Sequence, residues 1–312
     1  MTRHRSVRVG SVGSVGSVVA ALAVAVAGGG QARAQGQQQP QALVVQQLAP
    51  NVYWASGGGG NSGIIIGDSG VIVIDAKTTP ASGKALLDEI AKLTPKPVTH
   101  VIITHSDGDH VNGLASFPAD VKVIAHAGAK KEMEAALAAG GRGAPPADHM
   151  PSQVIDRDSE RLMLDGVPIV VRHWAPAHTS GDLVVQLPQQ RIVFTGDIIT
   201  NRPDPLIHLQ KNGSSAGWIT TAQGIAGLDA DKFVPGHGDV ETKAQVQAQV
   251  TSATDKRARI AELVKQGKSL DDVRAALGEP APAPNGRGAG GGGGGFASFT
   301  EVVYQELTAG RR

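Results

Sequence analysis

The 312-residue chain has no cysteine. That single absence removes disulfides, thiolate metal ligands, a cysteine nucleophile and an acylated-cysteine anchor. Aromatic residues are scarce, at 3%, too few for a platform that stacks the successive bases of a single strand. An excess of one charge is missing as well. The formal net charge is +1, which gives no electrostatic footprint for nucleic acid. The long apolar run of a membrane span, about 20 residues, is also lacking: Ser17 to Ala27 is too short.

What is present begins with a basic start at Arg3, His4, Arg5 and Arg8, then that short apolar stretch, then Ala32-Arg33-Ala34. This is the layout of a secretory signal peptide with a small-x-small cleavage site, so residues 1–34 are set aside from the fold. No adjacent arginine pair supports the twin-arginine route. Removing the segment takes away Arg3, Arg5, Arg8 and Arg33 and no acids, so the net charge of +1 becomes −3. The expected compartment is the bacterial periplasm or the outside of the cell, reached by a Sec-type leader. A cysteine-free chain tolerates that oxidising side, and no stable membrane anchor is expected after cleavage.

Hydrophobic residues make up 41%, enough for a sizeable core. Short β-branched runs at Ala42–Leu48, Val52–Ala55, Gly63–Ile66 and Val71–Ile74 read as strands. The glycines Gly57 to Gly60 read as a hairpin tip or a flap over a site. Helical spacing covers Pro80–Leu93, with Ala85, Leu86, Ile90 and Leu93 on one face, and stops before Pro95. A strand Val98–Ile103, a strand Val121–Ala125 and an Ala-rich helix Ala127–Ala139 follow. Residues Leu162 to Phe194 are mostly strands. Helices are expected at Gly217–Ala226, Val240–Gln266 and Leu270–Leu277, with a strand at Lys232–Val234. Two β-rich halves alternating with helices predict an α/β fold, an αββα four-layer sandwich with two packed mixed sheets inside. The domain is expected to span 35–278. A Gly/Pro-rich flexible loop is expected at 279–295, and a helix within 296–312 is expected to dock back on the domain.

The stretch that organises the chain is Thr104-His105-Ser106-Asp107-Gly108-Asp109-His110, directly after the apolar Val98–Ile103 run. Four side chains able to bind metal fall within six residues, at a strand end, where rigid scaffolds carry their chemistry. Downstream come His178 in Pro-Ala-His-Thr-Ser-Gly-Asp, Asp197 in Phe-Thr-Gly-Asp, and His237 in Pro-Gly-His-Gly. Four imidazoles and three carboxylates, each expected on a turn after an apolar segment, suffice for two divalent ions. A single histidine after a strand is ordinarily a satisfied polar residue. The joint pattern overturns that reading here.

These blocks, in this order, resemble the metallo-β-lactamase fold superfamily of metal-dependent hydrolases. The usual signature there is Thr-His-x-His-x-Asp-His, a later His, a Gly-Asp and a final Gly-His. The resemblance covers roughly Leu43 to Val240. It implies that His105, Asp107 and His178 hold one ion and Asp109, His110 and His237 the other, with Asp197 bridging. It also implies two divalent ions, zinc first, with iron or manganese admitted. Two such ions about 3.5–4 Å apart share a water and bring its pKa near 7, and Asp109 orients that water or carries a proton. The implied activity is hydrolysis of an ester, thioester or amide, a β-lactam included, on a small-molecule substrate. A bridging Asp is typical of thioesterase-like members, whereas export favours β-lactams.

One position departs from the signature: Asp107 stands where the second His is usual. Zinc accepts a carboxylate oxygen, but the third carboxylate makes the ions less electrophilic and moves preference toward harder metals. Three rivals follow. An iron-dependent redox enzyme of this fold is one, of the sulfur dioxygenase kind; a flavodiiron arrangement lacks its flavodoxin-like domain here. A catalytically degraded binding protein is the second. A nucleic-acid processing relative is the third, disfavoured by export and charge. Asp75 is read as a support behind the ligands or a turn cap, and Asp182 as a local turn partner. His149 and Arg142 sit on a Gly/Pro loop with a chance to meet substrate. His100, His126, His173 and His208 are read as structural or surface.

Overall fold

The β-branched segments of the first half pair in sequence order. A computed structural model describes residues 42–140, 145–280 and 296–309. The leader, Arg142 and residues 281–295 of the Gly/Pro-rich segment lie outside the described residues. Strands β1 (Val44–Ala49), β2 (Val52–Ser56), β3 (Ser62–Ile66) and β4 (Val71–Ile74) form an antiparallel meander. Helix α1 (Pro80–Leu93) then crosses over to β5 (Val98–Ile102), which runs parallel to β4. After a one-turn helix α2 (Gly108–Val111) come β6 (Lys122–His126), helix α3 (Ala127–Ala138) and β7 (Gln153–Ile155), with β5, β6 and β7 parallel. The seven strands make one mixed sheet in the order β1 to β7.

The second sheet has the order β12-β11-β10-β9-β8. Its strands are β8 (Ser159–Leu164), β9 (Val167–Arg172), β10 (Val184–Leu187), β11 (Ile192–Thr200) and β12 (Lys232–His237). Helix α4 (Ser215–Gly227) lies between β11 and β12 in the chain, so that pair is parallel while the others are antiparallel. Helices α5 (Lys243–Lys265), α6 (Leu270–Ala276) and α7 (Phe299–Thr308) follow.

Three apolar layers hold this together. Between the sheets, Trp54, Ile72, Ile102 and Ile124 meet Ile169, Val185, Phe194 and Val234. Leu86 and Ile90 of α1 and Met133 of α3 cover the outer face of the first sheet through Val73, Val101 and Val123. Trp218 of α4, Val246 and Ile260 of α5, Val273 of α6 and Phe299 and Val302 of α7 cover the second. This is the four-layer αββα sandwich. Strands β4 and β11 are buried along their whole length, the pattern of strands covered on both faces.

Local signals explain the helix limits. Thr79 and Ser82 form a reciprocal capping box and Pro80 takes the first helical position of α1, both start devices. Thr94, next to Pro95, has an extended backbone (φ −159°), as a residue before proline prefers.

Two expectations need correction. The run expected to end at Phe194 continues to Thr200. Gly196 adopts φ +53° at a register shift, the left-handed conformation that glycine enters without a Cβ penalty. The parallel partner β12 then carries the strand onward through polar residues. The added strand β7 was not anticipated: three residues are too few to show a period.

Candidate metal centre

Strand β5 ends at Ile102, and Thr104 then turns the chain inward. Its backbone N–H and hydroxyl donate to the two oxygens of Asp75, at 2.8 and 2.7 Å. Asp75 is buried and has a positive φ of 59°. A non-glycine residue keeps that conformation where its surroundings over-determine it, and this carboxylate indeed braces two ligands' supports. Its Oδ2 also accepts from His110 Nδ1 at 2.8 Å.

These contacts settle the tautomers. The Thr104 hydroxyl gives its one hydrogen to Asp75, so His105 Nδ1, 3.0 Å away, is the donor to Thr104 Oγ1. His110 Nδ1 donates to Asp75, and His178 Nδ1 to the Leu206 carbonyl at 2.9 Å. With Nδ1 of all three committed to donation, each Nε2 is the ring atom that faces the interior, where it holds a proton or, once that proton leaves, a metal ion. What those nitrogens face is carboxylates and one another. His178 Nε2 lies 3.0 Å from Asp107 Oδ2, and His110 Nε2 lies 3.3 Å from Asp197 Oδ1. His110 and His237 bring their Nε2 atoms within 3.4 Å. His237 Nε2 is 2.9 Å from Asp109 Oδ2 and 3.5 Å from Asp197 Oδ2. Atoms able to act as ligands converge in this way where protons or metal cations sit between them.

The orphans agree. Among the described residues, His105 Nε2 and Asp197 Oδ1 are buried with no hydrogen-bond partner, which native interiors tolerate only with a reason. Among the described residues, possible ligand atoms gather in three sets within 4.8 Å: Asp75, His105 and His110; His105, His178 and Asp197; and Asp109, His110 and His237. Of the seven residues expected from the sequence, six fall in the last two sets. Asp107 falls in none, yet its Oδ2 is 3.8 Å from His105 Nε2 as well as near His178. The donor set of imidazole nitrogens and carboxylate oxygens, tethered from behind, fits two divalent ions. Asp75 sits where it supports both His105 and His110.

The electrostatics point the same way. Burial works against a charged His110, yet Asp197 and Asp75 hold its pKa well above the ordinary imidazole range. For His178, burial is outweighed by the hydrogen bond to Asp107 and the charge of Asp197, giving a pKa of about 9. Burial and the neighbouring His110 push His105 down to about 3. Asp197 stays well below the carboxylate range despite burial, chiefly through His110. Asp109 is brought to about 2, its burial offset by the hydrogen bond with His237. The centre therefore draws in positive charge.

Several expectations change on inspection. Asp197 is on a strand interior rather than a turn, and His237 is the last residue of β12. The Gly57–Gly60 segment is not a free flap. Gly60 N–H donates to the Asp109 carbonyl, and the buried Lys77 ammonium donates to the carbonyls of Ala55 and Gly60. A Cβ at Gly60 would lie 2.2 Å from the His110 ring, so glycine is there for close approach. His149 is buried, with Nε2 on the Phe117 carbonyl at 3.1 Å, so it fixes the Ala147–His149 turn against Phe117 rather than facing out to substrate. Asp182 accepts from Ala177 and Thr179 around the His178 turn, and burial raises its pKa to about 6. His208, read as structural or surface, lies instead at the centre, with Nδ1 3.2 Å from Asp107 Oδ1. Lys211 and Phe296, which the sequence did not single out, are there too. No motif marks these three, because the chain reaches the site from distant loops.

The chain matches the metallo-beta-lactamase superfamily over residues 55–237 and belongs to it. It is 29% identical over 179 residues to the 2,4-dinitroanisole O-demethylase subunit alpha of Nocardioides sp. (strain JS1661), covering 55% of this chain and 51% of that one. Among solved structures, the stereoselective inverting sec-alkylsulfatase Pisa1 from Pseudomonas sp. superposes with a TM-score of 0.67 at 20% identity, covering 85% of this chain and 50% of that one. A metallo-beta-lactamase from Pontibacter korlensis gives 0.58 at 20% identity, covering 68% and 99%. This chain thus spans about half the length of the first two. The superfamily is one of divalent-metal enzymes, hydrolases among them.

Proposed function

We propose that the chain is a hydrolase that binds two divalent ions and cleaves a small-molecule ester, thioester or amide bond. The observation that carries this reading is the convergence of imidazole Nε2 atoms on Asp107, Asp109 and Asp197, with every opposite Nδ1 of His105, His110 and His178 tied down. His105, Asp107 and His178 would hold one ion, Asp109, His110 and His237 the other, and Asp197, whose Oδ2 lies 3.9 Å from His178 Nε2 and 3.5 Å from His237 Nε2, would reach both. Such ions supply an activated water and a charge that stabilises the developing oxyanion; zinc is the first choice for this donor set.

The chain's own residues do the rest. Asp109 is on the solvent side, with its side chain 36% exposed, where it can orient water and take a proton. Asp75 fixes the ring planes of two ligands through His110 and Thr104. The pinned Gly57–Gly60 segment keeps the wall beside His110 rigid. Phe296 sets an apolar edge against His208, with ring centroids 4.9 Å apart. Export to the periplasm or beyond follows from the basic, apolar and Ala-Arg-Ala order at the start. A small molecule rather than nucleic acid is the expected partner.

The test is metal analysis of the purified chain combined with a panel of carboxylic esters, alkyl sulfates, thioesters and β-lactams. Two equivalents of divalent metal and turnover that is lost with chelator and in Asp197→Asn are expected. A chain that binds no divalent ion, or hydrolysis indifferent to Asp197→Asn, overturns the proposal.

A further inference from the structure

We propose that Lys211 and His208 make Asp107 a one-oxygen, charge-compensated stand-in for an imidazole, with Lys211 the positioning residue of the buried half of the centre. This rests on the reading of Asp107 as a ligand given above.

The argument is a comparison of donors. A neutral imidazole offers one ligand atom and no charge. A free aspartate offers two oxygens and a full negative charge. In this chain the second oxygen is occupied. Asp107 Oδ1 accepts from the Lys211 ammonium at 2.6 Å and lies 3.2 Å from His208 Nδ1. Oδ2 alone faces the interior, 3.0 Å from His178 Nε2 and 3.8 Å from His105 Nε2. The carboxylate is thereby held to one donor atom, and the ammonium cancels its charge. The side chains of Asp107 and Lys211 are 11% and 23% exposed, so their attraction is only partly screened.

The cation itself is anchored. Lys211 Nζ also donates to Ser106 Oγ at 2.7 Å, and Ser106 in turn donates to Glu132. The turn carrying both partners is stitched to the loop of the ligand His178. His208 N–H donates to the His178 carbonyl and Ser180 N–H to the Lys211 carbonyl, both at 2.8 Å. Lys211 N–H closes the turn on the His208 carbonyl at 2.9 Å. Asp107, His178 and Lys211 thus move as one piece. Outer supports of this kind tune metal affinity strongly.

The proposal predicts that replacing Asp107 by histidine does not simply restore the usual signature. It would strand the Lys211 ammonium against a dication. The test is zinc titration of the metal-free full-length chain against a chromophoric chelator, for wild type, Asp107→His, Lys211→Met and the double variant. Asp107→His should weaken one zinc site by about 10–100-fold, and adding Lys211→Met should recover most of that loss. An Asp107→His variant that binds as tightly as wild type, or a double variant no tighter than Asp107→His, overturns the inference. A wild-type chain that takes up no zinc would instead sink the two-ion reading. The coupling is then read from the melting temperatures of the four metal-free proteins: non-additive losses support the pairing, and additive losses overturn it.

Discussion

The two halves of the centre are built differently. His105 and His178 are 1% and 0% exposed, and their ring nitrogens are tethered to Thr104 and to the Leu206 carbonyl. In the other half, His110 is fully buried but His237 and Asp109 have side chains 37% and 36% exposed. One half is a closed fixture and the other is the mouth of the site. The difference assigns them separate work. A closed site holds its ion with little freedom, while an open one can admit water and substrate. Asp197, 4% exposed, would serve both under the two-ion reading.

The sharpest way to break this comparison is to remove the shared carboxylate. Asp197→Asn should lower turnover by at least ~10²-fold and reduce bound metal from two equivalents toward one, read by elemental analysis. If both ions stay, the halves are independent and Asp197 is no bridge. Next in size, Asp75→Asn should weaken metal binding in both halves, by about 10–100-fold, because Thr104 and His110 lean on the same carboxylate. A loss confined to one site in a zinc titration would contradict that shared role.

A chelator should separate the halves in time. The ion held by Asp109, His110 and His237 should leave first and the buried one later, giving two phases in stopped-flow release, whereas one phase for both ions would erase the distinction. Proton competition sharpens it further. Burial lowers the pKa of His178, but the hydrogen bond to Asp107 together with the charges of Asp197, Asp107 and Asp182 brings it to about 9. A proton on Nε2 must leave before a metal can bind there, so zinc affinity of the half that contains His178 should rise with pH up to about 9, by at most about tenfold per unit for that one proton, and then level off. The smallest effect is structural. Gly60→Ala places a methyl group against the His110 ring and should cost about 1–3 kcal/mol by overpacking, measured by urea unfolding.

Much of this was readable in the one-dimensional chain. The periodicity of Leu86 and Ile90 with Pro95 behind them places α1 to the residue, and the β-branched runs place β2, β3 and β4 within a residue. Those signals are local, and so are the forces behind them. The block from His105 to His110, with His178, Asp197 and His237, named residues that the fold does bring together. His208 and His149 were misread for one reason. An isolated histidine carries no sign of its neighbours, and here one touches Asp107 while the other ties a loop to the Phe117 carbonyl.

The sequence by itself determined the four layers, the family and the ligand candidates, because apolar periods and clustered donor residues are written along neighbouring positions. Tertiary structure alone decided which nitrogen of each histidine faces inward, which half is open, and that Lys211, 104 residues along the chain, meets Asp107. Those outcomes depend on groups packed from distant segments, where a hydrogen bond within reach, rather than proximity in the chain, sets tautomer, orientation and charge.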